Sequence, residues 1–261
     1  MPTATFRLYA ELNDFLPGRK KQGEFQEQFS SHETLKHILE SLGVPHPEID
    51  LILVNGRSRG FDERIQEGDR VSVYPLFRNL PVGKVSQVRP HPVPEPKFLL
   101  DNHLGKLARY LRLLGFDAAY QNHYDDHELA RMAAEQERIM LTRDRGLLKR
   151  NQVSHGFILR SDDPLEQAVS VVRRYQLLEK LDPFTRCANC NGLLEPVSKG
   201  EVLPELEPLT KKYYHRFQRC RGCGQVYWEG THFRRLNRFV KEIKGRAADP
   251  EGRREDFKLE G

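Results

Sequence analysis

Cysteine and aspartate are the two residue types here whose spacing could support chemistry. The four cysteines form two matched pairs, Cys187-Ala-Asn-Cys190 and Cys220-Arg-Gly-Cys223. Two CxxC units supply the four thiolates of a tetrahedral structural zinc and leave no open position for catalysis. Gly192 follows the first pair and Gly224 the second, giving tight turns that let backbone N–H groups point at the sulfurs. The gap between the pairs is 29 residues, longer than the usual spacing of about 15 to 20. The segment with Val202-Leu203-Pro204 and Pro208 is therefore expected to bulge from a zinc ribbon. Redox pairing or ordinary burial are the alternatives, and two matched units argue against both. In a reducing compartment this pattern favours metal over disulfides. His215 and His232 lie near by, but four sulfurs already complete a site.

The aspartates are less specific. Asp101 ends the apolar run Lys97–Leu100, Asp126 opens an amphipathic stretch, and Asp144 follows Ile139–Leu141 and Thr142-Arg143. Hard divalent cations such as Mg²⁺ and Mn²⁺ prefer oxygen ligands, and a bound cation would relieve the repulsion among gathered carboxylates. Each aspartate also has a local alternative. Asp101 and Asp144 can cap the helices after them. Asp125 with Glu128 fits a capping box that leaves Asp126 in the first helical turn, and Asp163 before Pro164 fits another with Glu166. Spacing alone does not decide between cap and ligand.

The elements that must position these residues fall into three segments. Residues 97–181 alternate short apolar strands (Lys97–Leu100, Ala118–Tyr120, Ile139–Leu141, Phe157–Leu159) with helices starting near Leu104, Asp126 and Pro164. That alternation predicts an α/β domain with a parallel sheet, whose strands end on one edge where sites in such sheets lie. Residues 1–78 read β-β-α-β-β, an α+β β-grasp of the ubiquitin-like kind. Its strand runs Thr3–Leu12, with a hairpin partner over Gly23–Phe29 and a helix over Glu33–Leu42; strands Asp50–Val54 and Val71–Tyr74 follow, the first leading into the turn Asn55-Gly56. Residues 79–96 hold Pro81, Pro90, Pro92, Pro94 and Pro96, a semi-extended linker. Residues 182–244 hold the zinc ribbon with a basic extension, and 245–261 form a charged tail.

LILVNGR followed by IQEGDRVSVYP resembles the sulfur-carrier and ubiquitin-like families. Those carriers react through a C-terminal Gly-Gly, whereas this strand runs into Pro75-Leu76-Phe77-Arg78 and another domain, so a docking or stabilising module is expected. KFLLDNHLGKLARYLRLLGFDAAY, DDHELARMAAEQERIMLTRDRGLL and FILRSDDPLEQ, then RCANCNG and CRGCGQVYWEGTH, resemble the Mut-seven C-terminal RNase domain, a branch of the PIN-like nucleases, over roughly residues 97–235. A ubiquitin-like domain ahead of it is a companion in that family. The resemblance implies a PIN-like fold, Mg- or Mn-dependent RNA hydrolysis, and an acidic site of Asp101, Asp126 and Asp144. Asp162 is the candidate fourth acid, because Asp163 has the better capping role.

Basic residues support phosphate contact. Lys106, Arg109 and Arg112 recur every three residues on the helix after Asp101, and Arg143 and Arg145 flank Asp144. Lys149 and Arg150 read equally well as a solvated face. Leu209 to Lys244 carries ten Lys or Arg against two Glu, a balance of +8 where the whole chain has +5. Arg216, Arg219, Arg221, Arg234 and Arg235 are its candidate RNA contacts, interleaved with Tyr213, Tyr214, Phe217, Tyr227, Trp228 and Phe233. Most of these rings read equally as the ribbon's own core, and Tyr227 and Trp228 are expected there. Lone His103 and His123 carry little. No apolar run is long enough to span a membrane and the N-terminus lacks a signal-peptide core, so a cytoplasmic protein is expected. The leading reading is a ribonuclease. Against it stand a non-catalytic RNA-, tRNA- or ribosome-binding adaptor, and a module that recruits protein partners through the ribbon and the ubiquitin-like domain.

Overall fold

A computed structural model describes residues 1–76, 85–88 and 95–249. Most of the linker expected over 79–96, and the tail beyond 249, lie outside the described residues. Two compact units emerge: Met1–His103 with Tyr120–Arg160, and Leu104–Ala119 with Ser161–Gly261.

The first unit contains the β-grasp. Strands β1 (Thr3–Leu8), β2 (Phe25–Gln28), β3 (Ile49–Val54), β4 (Arg57–Ser58) and β5 (Arg70–Pro75) form a sheet ordered β2-β1-β5-β3-β4, with helix α1 at Leu35–Ser41. β1 runs parallel to β5, and the other pairs are antiparallel. Alternation buries Ala4, Phe6 and Leu8 from β1. The strand expected to reach Leu12 stops at Leu8. Ala10 turns left-handed (φ 46°), and Asn13 donates its amide to the Leu8 and Ala10 carbonyls, closing a turn over Ala10–Phe15. Asn55 (φ 51°) and Gly56 (φ 78°) make the tight turn between β3 and β4, where both central residues need positive φ. In 85–88, the Ser86 hydroxyl donates to the Asp50 carbonyl and Val88 is buried.

The same unit holds a parallel sheet of β6 (Lys97–Leu100), β8 (Ile139–Thr142) and β9 (Gly156–Ile158), in register Leu100↔Leu141 and Leu141↔Phe157. Every residue of β8 is buried, as a central parallel strand requires. Helix α3 (Asp126–Glu135) packs on β6 and β8, and α4 (Arg145–Leu148) on β8 and β9. At β9 the β-grasp meets the sheet: Glu48, fully buried, accepts from the Ile158 amide at 2.6 Å.

The second unit comprises α2 (Gly105–Leu113), β7 (Asp117–Ala119), α5 (Pro164–Arg174), the ribbon strands and a terminal helix α8 (Thr231–Ala248), which outruns the expected boundary at 244. α5 packs on α2 and α8. Strands β10 (Leu194–Val197), β11 (Phe217–Cys220) and β12 (Val226–Trp228) form an antiparallel ribbon in that order. The long insertion between the cysteine pairs folds as α6 (Lys199–Val202) and α7 (Pro208–Tyr213) around a turn at Leu203–Glu205. It does not merely bulge: Val202 and Leu206 join Phe217 and Val226 in the ribbon core, with Val197, Tyr214 and Trp228 packed against it. No helix among the described residues is long and apolar enough to cross a membrane.

Candidate active site and metal centre

The carboxyl ends of β6 and β8 bring two of the expected aspartates together. Asp101 follows β6, is buried, and donates its amide to the Leu141 carbonyl at 3.1 Å. Its carboxylate accepts from the Asn102 amide at 2.6 Å and from the Thr142 hydroxyl at 2.7 Å. The same hydroxyl accepts from the Asp144 amide at 2.9 Å. Thr142 therefore ties the two aspartates to one edge of the sheet. Asp144 is exposed and also caps α4, its Oδ1 accepting from the Gly146 amide at 2.6 Å. The cap and the candidate ligand are thus one residue. Asn102 adds a buried Oδ1 with no hydrogen-bond partner, next in the chain to Asp101.

The third aspartate does not join them. Asp126 is exposed at the start of α3, and its Oδ2 lies 3.6 Å from the Arg150 guanidinium. The capping box falls on Asp125, which accepts from the Glu128 amide at 2.8 Å. That bond, ahead of the smaller effect of burial, holds the Asp125 carboxyl below the usual range. Among the described residues no three carboxylates or histidines offer ligand atoms within 4.8 Å of one another. Asp162 lies exposed in the second unit, beside Asp163, which caps α5 by accepting from the Leu165 amide at 3.0 Å. Thr142 and Asn102 are the residues that sequence reasoning missed at this edge. Both stand next to expected positions, but neither has a side chain that composition or spacing would single out.

The cysteines do converge. Their four sulfurs lie within 4.8 Å of one another. The Cys187–Cys223 pair is 3.7 Å apart and Cys190–Cys220 is 3.3 Å apart. A tetrahedral site with Zn–S bonds of about 2.3 Å has edges of about 3.8 Å, and a disulfide would need about 2.05 Å. The set fits a structural zinc and excludes disulfides. Backbone amides of Cys190 and Gly222 point at the Cys187 and Cys220 sulfurs at 3.4 Å and 3.3 Å. The Tyr227 hydroxyl lies 3.0 Å from the Cys187 sulfur, within hydrogen-bond reach. Burial pushes the Cys187 thiol up, but that hydroxyl and the amides of Cys190 and Asn189 outweigh it and bring it down to about 7. Gly192 is packed so closely that a Cβ there would sit 2.9 Å from the Cys220 sulfur.

The basic candidates divide. Arg112 is buried, not presented to a ligand: its Nε donates to the Ala118 carbonyl at 2.9 Å, and Nη1 to the carbonyls of Asn189 at 2.7 Å and Ala188 at 3.3 Å. It braces the first cysteine turn, so the expectation of an RNA contact is corrected. Arg145 lies over the Phe15 ring at 5.0 Å, and Lys149 donates to the Glu40 carbonyl at 2.5 Å. Arg219 and Arg221 pair with Glu205 and Glu195, each at 2.6 Å. Arg143, Arg234 and Arg235 are exposed, as are Lys106, Arg109 and Arg216. These last three line a groove of about 1200 Å³ within the second unit, whose walls include Tyr110, Phe184, Trp228 and Phe233.

Comparison with known proteins agrees with this layout. The family model described as the Mut7-C RNAse domain matches residues 96–240, and that described as Mut7-C ubiquitin matches residues 1–81. A human protein named exonuclease mut-7 homolog is 37% identical over 123 residues, which cover 44% of this chain and 14% of that protein. The chain thus matches a small fraction of that relative's length. No solved structure matches.

Proposed function

Because the chain belongs to the Mut7-C RNase domain family, with a Mut7-C ubiquitin domain ahead of it, we propose that it is a ribonuclease that hydrolyses RNA phosphodiester bonds with a divalent cation. The observation that carries this reading is the pair Asp101 and Asp144 joined through Thr142 at the carboxyl ends of adjacent parallel strands. The available donors are all oxygens, and the unpartnered Asn102 Oδ1 beside Asp101 is the kind of atom a hard cation or its water satisfies. Asp101 and Asp144 would hold Mg²⁺ or Mn²⁺, with Asp126 as the third acid. When bound, the ion offsets charge on the phosphoryl oxygens and lowers the pKa of a coordinated water.

The chain's own groups do the positioning. Thr142 and the Asn102 amide fix both Asp101 oxygens, so that carboxylate enters the reaction with its orientation already set. Among the described residues Asp144 is anchored through Oδ1 alone, which leaves its second oxygen for an incoming ligand. Asp126 must leave Arg150 to contribute. The four cysteines hold a structural zinc, and the exposed cations of the second unit contact the RNA backbone. The reading places the protein in the cytoplasm, with the ubiquitin-like domain open to a protein partner.

The test is cleavage of single-stranded and structured RNA with Mn²⁺ or Mg²⁺, comparing the protein with Asp144→Asn. The variant is expected to lose activity by about a hundredfold or more while keeping its zinc and its RNA affinity. Equal cutting by both would overturn the assignment. One observation favours a second reading, a non-catalytic RNA-, tRNA- or ribosome-binding adaptor: Asp126 is held by Arg150, apart from the joined pair. Binding without cutting by the unaltered protein under every divalent metal would decide for that reading.

A further inference from the structure

We propose that the groove of the second unit is a binding site for unpaired RNA bases, engaging a single strand by ring stacking within and by phosphate contacts at its cationic wall. This rests on RNA being the ligand class, but not on the carboxylates cutting it.

The groove's size comes first. At about 1200 Å³ it exceeds the range of about 300–1,000 Å³ typical of small-molecule pockets, so it suits a segment of chain better than one small metabolite. Its charge is the second observation. Lys106 and Arg109, one helical turn apart on α2, and Arg216 from the segment before β11 are exposed along it. Among the described residues Glu229 is the single acid in the lining. Arg186 also lines it, but its guanidinium already donates to the carbonyls of Gly115 and Asn191. Lys106, Arg109 and Arg216 leave the lining's net charge positive, which complements phosphate.

The third observation is the rings. Tyr110, Phe184, Trp228 and Phe233 all line the groove. They are set as a supported surface: Phe184 and Phe233 lie 4.5 Å apart between centroids, and Tyr110 is backed by Phe239 at 5.5 Å. Rings recessed in a cleft can be reached by a base only after it has left its stack. An A-form duplex keeps its bases inside and presents backbone and 2′-hydroxyls, whereas a single strand can splay its bases onto aromatic faces. Cations outside and rings inside therefore select unpaired RNA over duplex. An acidic peptide could answer the charge but has no flat faces for the rings.

Trp228 is the only tryptophan in the chain, so the groove carries its own reporter. The experiment uses the full-length Asp144→Asn protein without added divalent metal, titrated with oligouridylate and oligoadenylate, an abasic oligomer of equal phosphate count, a duplex, and a polyglutamate peptide. Both homopolymers are expected to quench Trp228 emission; the abasic oligomer, the duplex and the peptide are expected not to. Lys106→Ala with Arg109→Ala is expected to weaken oligomer binding at least tenfold. The salt dependence should flatten by about 0.7 per lost contact, the single-strand value. Both positions are exposed on α2, so zinc content is expected to stay unchanged and serves as the folding control. Equal quenching by the abasic oligomer or the peptide, or RNA binding that leaves emission unmoved, would overturn the proposal. Loss of cleavage in the unaltered protein with quenching intact would sink the nuclease reading alone.

Discussion

Arg112 offers the sharpest separation between a side chain that grips a ligand and one that holds the fold. The residue is 4% exposed, and its guanidinium donates to three carbonyls, two of which belong to Ala188 and Asn189, the residues inside the first CxxC turn. Burial lowers its pKa, and the neighbouring Cys187 and Cys190 oppose that shift. Arg112→Met keeps most of the aliphatic stem and removes every donor. Two short bonds and one long one are lost, and each buried carbonyl left bare costs about 1–3 kcal/mol. The expected destabilisation is therefore about 3–5 kcal/mol, a large part of a domain stability of about 5–15 kcal/mol. Because the freed carbonyls orient Cys187 and Cys190, zinc affinity should fall about 10- to 100-fold as well. Denaturant midpoints and competition with a chromogenic zinc chelator read the two effects separately. Arg112→Lys should recover little, since an ammonium cannot serve carbonyls lying in the two directions that the planar fork spans. An Arg112→Met protein with unchanged midpoint and zinc affinity but weakened RNA binding would refute the bracing role and restore the contact role suggested by the sequence.

Two further predictions concern positions away from the groove. Gly192→Ala would place a Cβ 2.9 Å from the Cys220 sulfur and 3.2 Å from the Gly222 amide, so the second knuckle must shift; chelator competition should register zinc loss at a lower chelator concentration, while the first unit's unfolding transition stays put. His46 is buried against Phe61, with its ring nitrogen 2.8 Å from Glu40, and burial outweighs the Glu40 bond to lower its pKa below 6.5. The unfolded chain then binds the extra proton more readily, so stability is full above about 6.5 and falls as pH drops toward the folded value. His46→Gln should flatten that slope in denaturation midpoints taken between pH 5 and 7, and an unaltered slope would show that another group carries it.

Local signals in the sequence locate most elements and the cysteine cluster, and the failures have physical causes. Strand and helix periodicity places β6, α3, β8 and α5 within a few residues of their observed bounds. The matched CxxC units announce a metal centre because four sulfurs at that spacing have few other uses. The basic row Lys106, Arg109 and Arg112 misleads because a step of three drifts about 60° around a helix at each repeat. Arg112 stands four residues after Ala108, on the face that buries Ala108 and Leu111. The insertion looks like excess loop because Val202 and Leu206 acquire meaning only when β11 and β12 lie beneath them. Thr142 is invisible for a related reason: its hydroxyl reaches Asp101 only through the pairing of two strands some forty residues apart.

The ubiquitin-like domain bears on the acidic edge in a way no local pattern could reveal. Glu48 satisfies the Ile158 amide at the sheet's β9, so a carboxylate in the first domain completes a strand of the second. Phe15 receives the guanidiniums of Arg145 and Arg160, and the Glu40 carbonyl holds Lys149. Arg145 and Lys149 lie within or beside α4, the helix that Asp144 caps. The first domain thus withdraws cations from the candidate acid's flank and fixes the helix on which that acid sits. The position of α4, the helix that Asp144 caps, therefore rests on contacts from both domains.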